Sequence, residues 1–166
     1  MVRLFRRKNK LKFSPFIREA VAFGDQRPFV AAMVAVDINT VGKWAEDNSL
    51  PYTSFMDLAS KPQVASLVIA EVAKINATLP PPLRVHRIVL LNKELEADDA
   101  EITRTRKVRR GFVAEKYASV IAALYDGSKE ARLTMQITFE DGRKSSLTST
   151  LAVQDIAPAA SKQMAA

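Results

Sequence analysis

The chain has 166 residues, 48% of them hydrophobic, and a formal net charge of +7. That length suits one domain with a packed core, and the apolar share excludes a disordered chain. With no cysteine there is no disulfide framework, thiolate metal site or cysteine nucleophile. No apolar run is long enough to span a bilayer, and the positive charge points to an anionic partner: nucleotide, coenzyme A, nucleic acid or a membrane surface.

Residues 1–13 read as a basic helix or arm carrying Arg3, Arg6, Arg7, Lys8, Lys10 and Lys12, with Leu4, Leu11 and Phe13 available for packing. Its plain reading is a solvated basic side; its functional reading is contact with nucleic acid or anionic lipid. The Met1 end lacks the apolar stretch of a secretion signal, so a cytoplasmic setting is expected, with any membrane contact peripheral. Ser14-Pro15 stops this segment. Ile17 to Phe23 predicts a strand, turned by Gly24-Asp25-Gln26-Arg27-Pro28 into a second strand, Phe29 to Val36. The second run is almost wholly apolar, as expected of a central strand covered on both faces, and the two form an antiparallel hairpin.

Asp37 or Asn39 can cap a short helix containing Val41, Trp44 and Ala45. Trp44 reads as a core residue in preference to a stacking platform for adenine. Thr53-Ser54 caps a short turn through Phe55 and Leu58. Pro62 opens the longest helix, 62–79, with Val64, Leu67, Val68, Val72, Ile75 and Leu79 as its buried stripe. Pro80-Pro81-Pro82 ends it. Val85 to Leu91 predicts a third strand, with Val85, Arg87, Val89 and Leu91 on one face and His86, Ile88 and Leu90 on the other. His86 is the only histidine, which argues against a zinc site, and it reads as structural or surface.

The acids Glu94, Glu96, Asp98, Asp99 and Glu101 read as a solvated turn without calcium-loop spacing. After them, Ile102 to Arg110 carries Arg104, Arg106, Lys107, Arg109 and Arg110 and leads into a helix predicted over 107–125. Its apolar face is Val113, Tyr117, Val120, Ile121 and Leu124. Cations at a helix start oppose its dipole by roughly 0.3–1 kcal/mol each, so a local rule is broken here, which makes the stretch a place to look for function. Unpaired helix N–H groups together with Lys and Arg donors favour a phosphate or carboxylate guest; charge alone leaves a solvated basic face equally open.

Residues 127–156 predict an appended β-hairpin. Leu133, Met135, Ile137 and Phe139 alternate with polar residues, Asp141-Gly142 marks the turn, and Leu147, Leu151 and Val153 lie on the return. Residues 157–166 read as a flexible tail. The fold class expected is α+β: a small three-stranded antiparallel sheet flanked by helices, plus the C-terminal hairpin. No glycine-rich phosphate loop, Ser-His-Asp set or paired carboxylates are present, so hydrolase readings have no residues to rest on.

The run Glu101-Ile102-Thr103-Arg104-Thr105-Arg106-Lys107-Val108-Arg109-Arg110 resembles the C-terminal lysine motif of AMP-forming acyl-CoA synthetases of the long-chain type. That motif reads Leu-Thr-Pro-Thr, any residue, Lys, then further basic residues, and Lys107 matches its lysine. Agreement continues in Asn9-Lys10-Leu11-Lys12-Phe13-Ser14-Pro15-Phe16-Ile17, Gly24-Asp25-Gln26-Arg27-Pro28-Phe29, Val41-Gly42-Lys43-Trp44-Ala45, and Val89-Leu90-Leu91 before Lys93-Glu94-Leu95. It holds in unbroken order from Asn9 to about Tyr125. The chain departs at Arg104, where the family usually has Pro, and at Ala100, where Gly is common.

The resemblance implies that residues 14–126 are the lysine-bearing cap of a two-domain long-chain fatty-acid–CoA ligase. The large N-terminal adenylation domain, which this chain is expected to lack, would hold ATP with its magnesium and the acyl tunnel; no metal is expected on the chain itself. Lys107 would be catalytic in forming the acyl-adenylate, and the cap would then close for transfer to coenzyme A. Arg104, Arg106, Arg109, Arg110, Thr103 and Thr105 are candidates for binding phosphates of ATP or coenzyme A. Residues 1–8 do not follow the family, and the start is expected to be replaced or truncated. The chain alone is expected not to turn over, being a truncated gene product, a fragment, or a split-ligase subunit that docks on an adenylation domain. The competing expectation is a non-catalytic basic module for nucleic acid or an anionic membrane surface. Against nucleic acid, no aromatics are interleaved with the basic residues to form a stacking platform.

Overall fold

The computed structural model describes residues 10–24, 26–96 and 100–156. The predicted basic arm before Lys10, the predicted tail from Ala157, and Asp98 with Asp99 lie outside the described residues. Among the described residues the chain forms an α+β fold: a five-stranded sheet in the order β1-β2-β3-β5-β4, with helices packed on both faces.

A short 3-10 turn, Lys10–Phe13, buries Leu11 and leads into β1, Ile17–Phe23. This strand pairs antiparallel with β2, Val30–Val36. Every residue of β2 is buried, because its small and branched side chains alternate between two apolar clusters. Val30, Ala32, Val34 and Val36 serve one, and Ala31, Met33 and Ala35 the other.

Asp37 then caps α1, Ile38–Asp47, by accepting the N–H groups of Asn39 and Thr40. Ser54 caps α2, Phe55–Ser60, and Pro62 occupies the first turn of α3, Pro62–Asn76. Val64, Val68 and Val72 of α3 are buried in the first cluster. Trp44 packs partly buried against the same cluster, as a core residue does. Buried Asn76 locks the end of α3 to the next strand, donating to Val85 O at 2.8 Å and accepting Val85 N–H at 2.9 Å.

That strand, β3 (Val85–Leu90), pairs with β2 in parallel. Three helices separate the two strands in sequence, which returns the chain to the end where β2 began, and a crossover of that kind gives parallel neighbours. The all-antiparallel pairing expected from sequence is corrected here. The register also skips between Val30↔Val85 and Ala31↔Arg87, so His86 is passed over at an irregularity. As a result Val85 joins Ile88 and Leu90 in the first cluster, while Val89 and Leu91 face the second. Exposed His86 lies beside the Phe29 ring, with centroids 5.4 Å apart.

The second face is covered by α4, Arg110–Lys116, and α5, Ala118–Tyr125. Sequence predicted one helix over 107–125; the backbone starts at Arg110 and breaks at Tyr117 (φ −104°, ψ 24°). Tyr117 is wholly buried. Tyr125 ends the pair by donating to Phe23 O and Phe29 O at 2.9 and 3.0 Å, which ties α5 to the β1–β2 connection. Burial holds the Tyr125 hydroxyl above its usual titration range.

The predicted hairpin forms as β4, Glu130–Thr138, and β5, Lys144–Asp155, around Gly142 in the left-handed region (φ 83°). Val153, Gln154 and Asp155 pair with Val89, Ile88 and Arg87, so the hairpin extends the sheet. Ala131, Leu133, Leu151 and Val153 complete the second cluster.

Candidate functional site

The basic run lies on a small hairpin loop between β3 and α4. Ile102 and Val108 form an isolated antiparallel bridge, and both pack on the second cluster. Above the bridge, Thr103 N–H donates to Lys107 O and Arg106 N–H to Thr103 O, each at 2.8 Å. Arg106 is left-handed (φ 63°). This is the pattern of a three-residue loop: a tight turn followed by a left-handed residue. Thr103 Oγ1 accepts Lys107 N–H at 3.0 Å and sits 3.0 Å from Thr105 Oγ1. Two hydroxyls, three backbone N–H groups and two carbonyls thus hold the turn from within.

Thr103, Arg104, Thr105, Arg106, Lys107 and Arg109 are exposed together on this loop and its foot. Among the described residues the Lys107 ammonium makes no ion pair. Arg109 donates to Ala100 O at 3.3 Å, and its guanidinium lies 5.5 Å from the Phe112 ring centroid. Phe112 is itself 39% exposed. Arg110 turns the other way: it donates to Ala22 O on β1 and stacks over Phe23. The structure therefore groups five charged or polar candidates with Lys107 on one exposed loop and sends Arg110 into the domain. The helix begins at Arg110, three residues later than the predicted start at 107, so the basic run stands at and just before the helix N-terminus, and only Arg109 and Arg110 stand where the helix dipole acts.

The expected solvated acidic turn is also corrected at one residue. Glu101 is 0% exposed. Its carboxylate accepts the hydroxyl of Tyr117, lies 2.9 Å from Lys93 Nζ and 3.3 Å from Lys116 Nζ, and accepts Glu96 N–H at 3.3 Å. Its backbone takes part in the loop's foot, accepting Arg109 N–H at 2.9 Å and donating to Glu96 O at 3.1 Å. Sequence reasoning missed this residue because its side-chain partners stand 8 residues before it and 15 and 16 after it, on other parts of the fold that no local motif joins. Its adjacency to the loop was the only available signal.

No group of three or more His, Cys, Asp or Glu that could hold a metal occurs among the described residues. No helix among them is long and apolar enough to cross a membrane. A groove between α2 and β5, lined in part by Met56, Asp57, Leu90, Asn92 and Thr150, includes none of the loop residues.

Comparison with known proteins gives concordant results. A family model described as "AMP-binding enzyme C-terminal domain" matches residues 7–129. The long-chain-fatty-acid–CoA ligase FadD15 of Mycobacterium tuberculosis is 32% identical over 120 residues, 72% of this chain and 20% of that protein. The putative fatty-acid–CoA ligase fadD11 of the same species is 32% identical over 111 residues, 67% of this chain and 19% of that protein. The chain thus spans about a fifth of the length of these curated relatives. Among solved structures, the A-PCP didomain of carboxylic acid reductase from Segniliparus rugosus, in complex with AMP, superposes with a TM-score of 0.57 at 17% identity. It covers 75% of this chain and 16% of that one, a likeness of fold.

Proposed function

The chain belongs to the AMP-binding enzyme C-terminal domain family, and from that premise we propose that it is the cap of a long-chain fatty-acid–CoA ligase, with Lys107 as its catalytic residue. The partner is an adenylation domain, in the same polypeptide or a separate one, that holds ATP, magnesium and fatty acid. The cap alone does not turn over.

The chemistry gives Lys107 a definite task. A fatty-acid carboxylate oxygen bonds to the α-phosphorus of ATP, the bond to the bridging oxygen breaks, and pyrophosphate leaves with the electron pair. Two anions approach, and negative charge builds on the phosphoryl oxygens. An ammonium placed there offsets that charge in the transition state and aligns the carboxylate. Lysine suits the role as a compact charge on a long stem. In the second half-reaction the thiol of coenzyme A attacks the acyl carbon and AMP departs. Arg104, Arg106 and Arg109, with Thr103 and Thr105, supply donors for the phosphates of ATP or coenzyme A; Arg110 supports them from the domain side.

The observation that carries this reading is the exposed Lys107 on a rigidly bonded turn with three exposed arginines around it. The test mixes the chain with a separately produced adenylation domain of a long-chain fatty-acid–CoA ligase and measures fatty-acid-dependent ATP–pyrophosphate exchange. Exchange is expected to rise on adding the chain. Lys107→Ala is expected to lower it by about a hundredfold or more, while thioester formation from preformed acyl-adenylate is spared. Equal exchange with wild-type and Lys107→Ala chains refutes the role given to Lys107.

A further inference from the structure

We propose that Glu101 is the positioning residue of the Lys107 loop: a buried carboxylate that fixes the loop's foot to the domain core, and so sets where the ammonium is presented. Its catalytic meaning rests on the function proposed above; its structural content does not.

A carboxylate removed from water is destabilising unless nearly all its lone pairs are engaged. Glu101 meets that condition with donors from two separate stretches: Lys93 and the Glu96 N–H after β3, and Lys116 with the Tyr117 hydroxyl where α4 ends. An apolar side chain of similar volume would fill the same space at lower desolvation cost. What the charged cluster adds is a fixed position. The backbone of Glu101 accepts Arg109 N–H one step below the Ile102–Val108 bridge. Holding Glu101 therefore holds both arms of the loop.

The break at Tyr117 fits the same scheme. Ending α4 there brings Tyr117, wholly buried, under the carboxylate and leaves Lys116 on its rim with 23% of its side chain exposed. The loop's own bonds define its shape, whereas the Glu101 cluster defines its placement on the sheet. A lysine whose ammonium must reach a reacting phosphate on another domain needs both, since misplacement of about 1 Å is enough to weaken catalysis severely.

The test is amide hydrogen exchange by NMR on the full chain, comparing wild type with Glu101→Gln and Tyr117→Phe. Gln keeps the shape but leaves two ammonium groups around a neutral amide; Phe removes one hydroxyl and keeps the ring. Exchange at the amides of Thr103, Arg106, Lys107 and Arg109 is expected to quicken about tenfold or more in Glu101→Gln, and less in Tyr117→Phe, with the amides of β2 unchanged. Should Glu101→Gln fail to fold, Tyr117→Phe still supplies the comparison. Loop exchange that stays at the wild-type rate in the folded variants overturns the proposal, and so does loop exchange that quickens only in step with β2, which is general loss of stability. Lys107→Ala is expected to leave loop exchange unchanged. A failed catalytic role for Lys107 would therefore register in pyrophosphate exchange and not in this measurement.

Discussion

At the scale of single residues, the backbone accounts for the family's choice at both points where this chain departs from it. Arg104 is the second residue of the turn that Thr103 and Arg106 close. That is the position where proline's fixed φ is preformed for a turn, so the family's Pro and this chain's Arg serve one geometry, with the Arg adding a charge. Ala100 has φ 59°, in the left-handed region where a Cβ is strained by roughly 1–2 kcal/mol. Glycine relieves that strain but adds freedom to the unfolded chain worth roughly 0.5–1 kcal/mol. Ala100→Gly is therefore expected to stabilise by up to about 1 kcal/mol, a rise in Tm of about 2–4 °C for a chain of this size. Thermal unfolding followed by circular dichroism measures it; a fall in Tm would mean that the strain at Ala100 is relaxed in solution.

At the scale of elements, caps and stops were the most legible features. Ser54 accepts Asp57 N–H at 3.1 Å, and Asp57 reaches back to accept Thr53 N–H at 3.0 Å, a reciprocal bracket on α2. The Thr53 N–H, aided by the Lys61 ammonium, holds the Asp57 carboxyl below its ordinary range. A folded-state value depressed in this way contributes stability above the unfolded value and loses it as pH falls through the folded one. Asp57→Asn is expected to melt slightly below wild type at neutral pH and to match it at an acid pH below the depressed folded-state value. A gap of equal size at both pH values would show that the charge contributes nothing. Pro62, the triple proline and Asp141-Gly142 were equally readable, because each acts on the backbone where it stands. The break at Tyr117 was not, since no local pattern marks it and the contact Tyr117 makes there is with distant Glu101. The same holds for β3: alternation gave a strand, but the skip at His86 that turns Val85 toward Ile88 and Leu90 depends on pairing with β2. In the site, Lys107 and its neighbours were legible through a contiguous motif, while Glu101, tied to residues far along the chain, was not.

At the scale of the whole molecule, the family match ends at residue 129, just before β4 begins at Glu130. The hairpin nevertheless closes the second cluster, where Ala131, Leu133, Leu151 and Val153 pack with Val113, Tyr117, Val120 and Leu124 of the helices that follow the Lys107 loop. Arg87 on β3 adds a polar fastening, donating to Asp155 at 2.9 Å and to Leu124 O at 3.1 Å. Removing residues 130–166 would uncover the β3 edge, which otherwise pairs with β5, and leave one side of α5 without apolar cover. Bare strand edges and exposed apolar faces favour association between chains. A chain ending at Lys129 is therefore expected to lose several kcal/mol, in line with about 1.5–3 kcal/mol for each buried aliphatic side chain whose burial is lost, and to elute as higher oligomers in size-exclusion chromatography. If it instead melts cooperatively at the full-length temperature as a monomer, the hairpin is an appendage to an independent domain. The expected outcome would make β4 and β5 part of the platform on which the Lys107 loop is mounted, since the cluster they complete is the one that holds Ile102 and Val108 at the loop's foot.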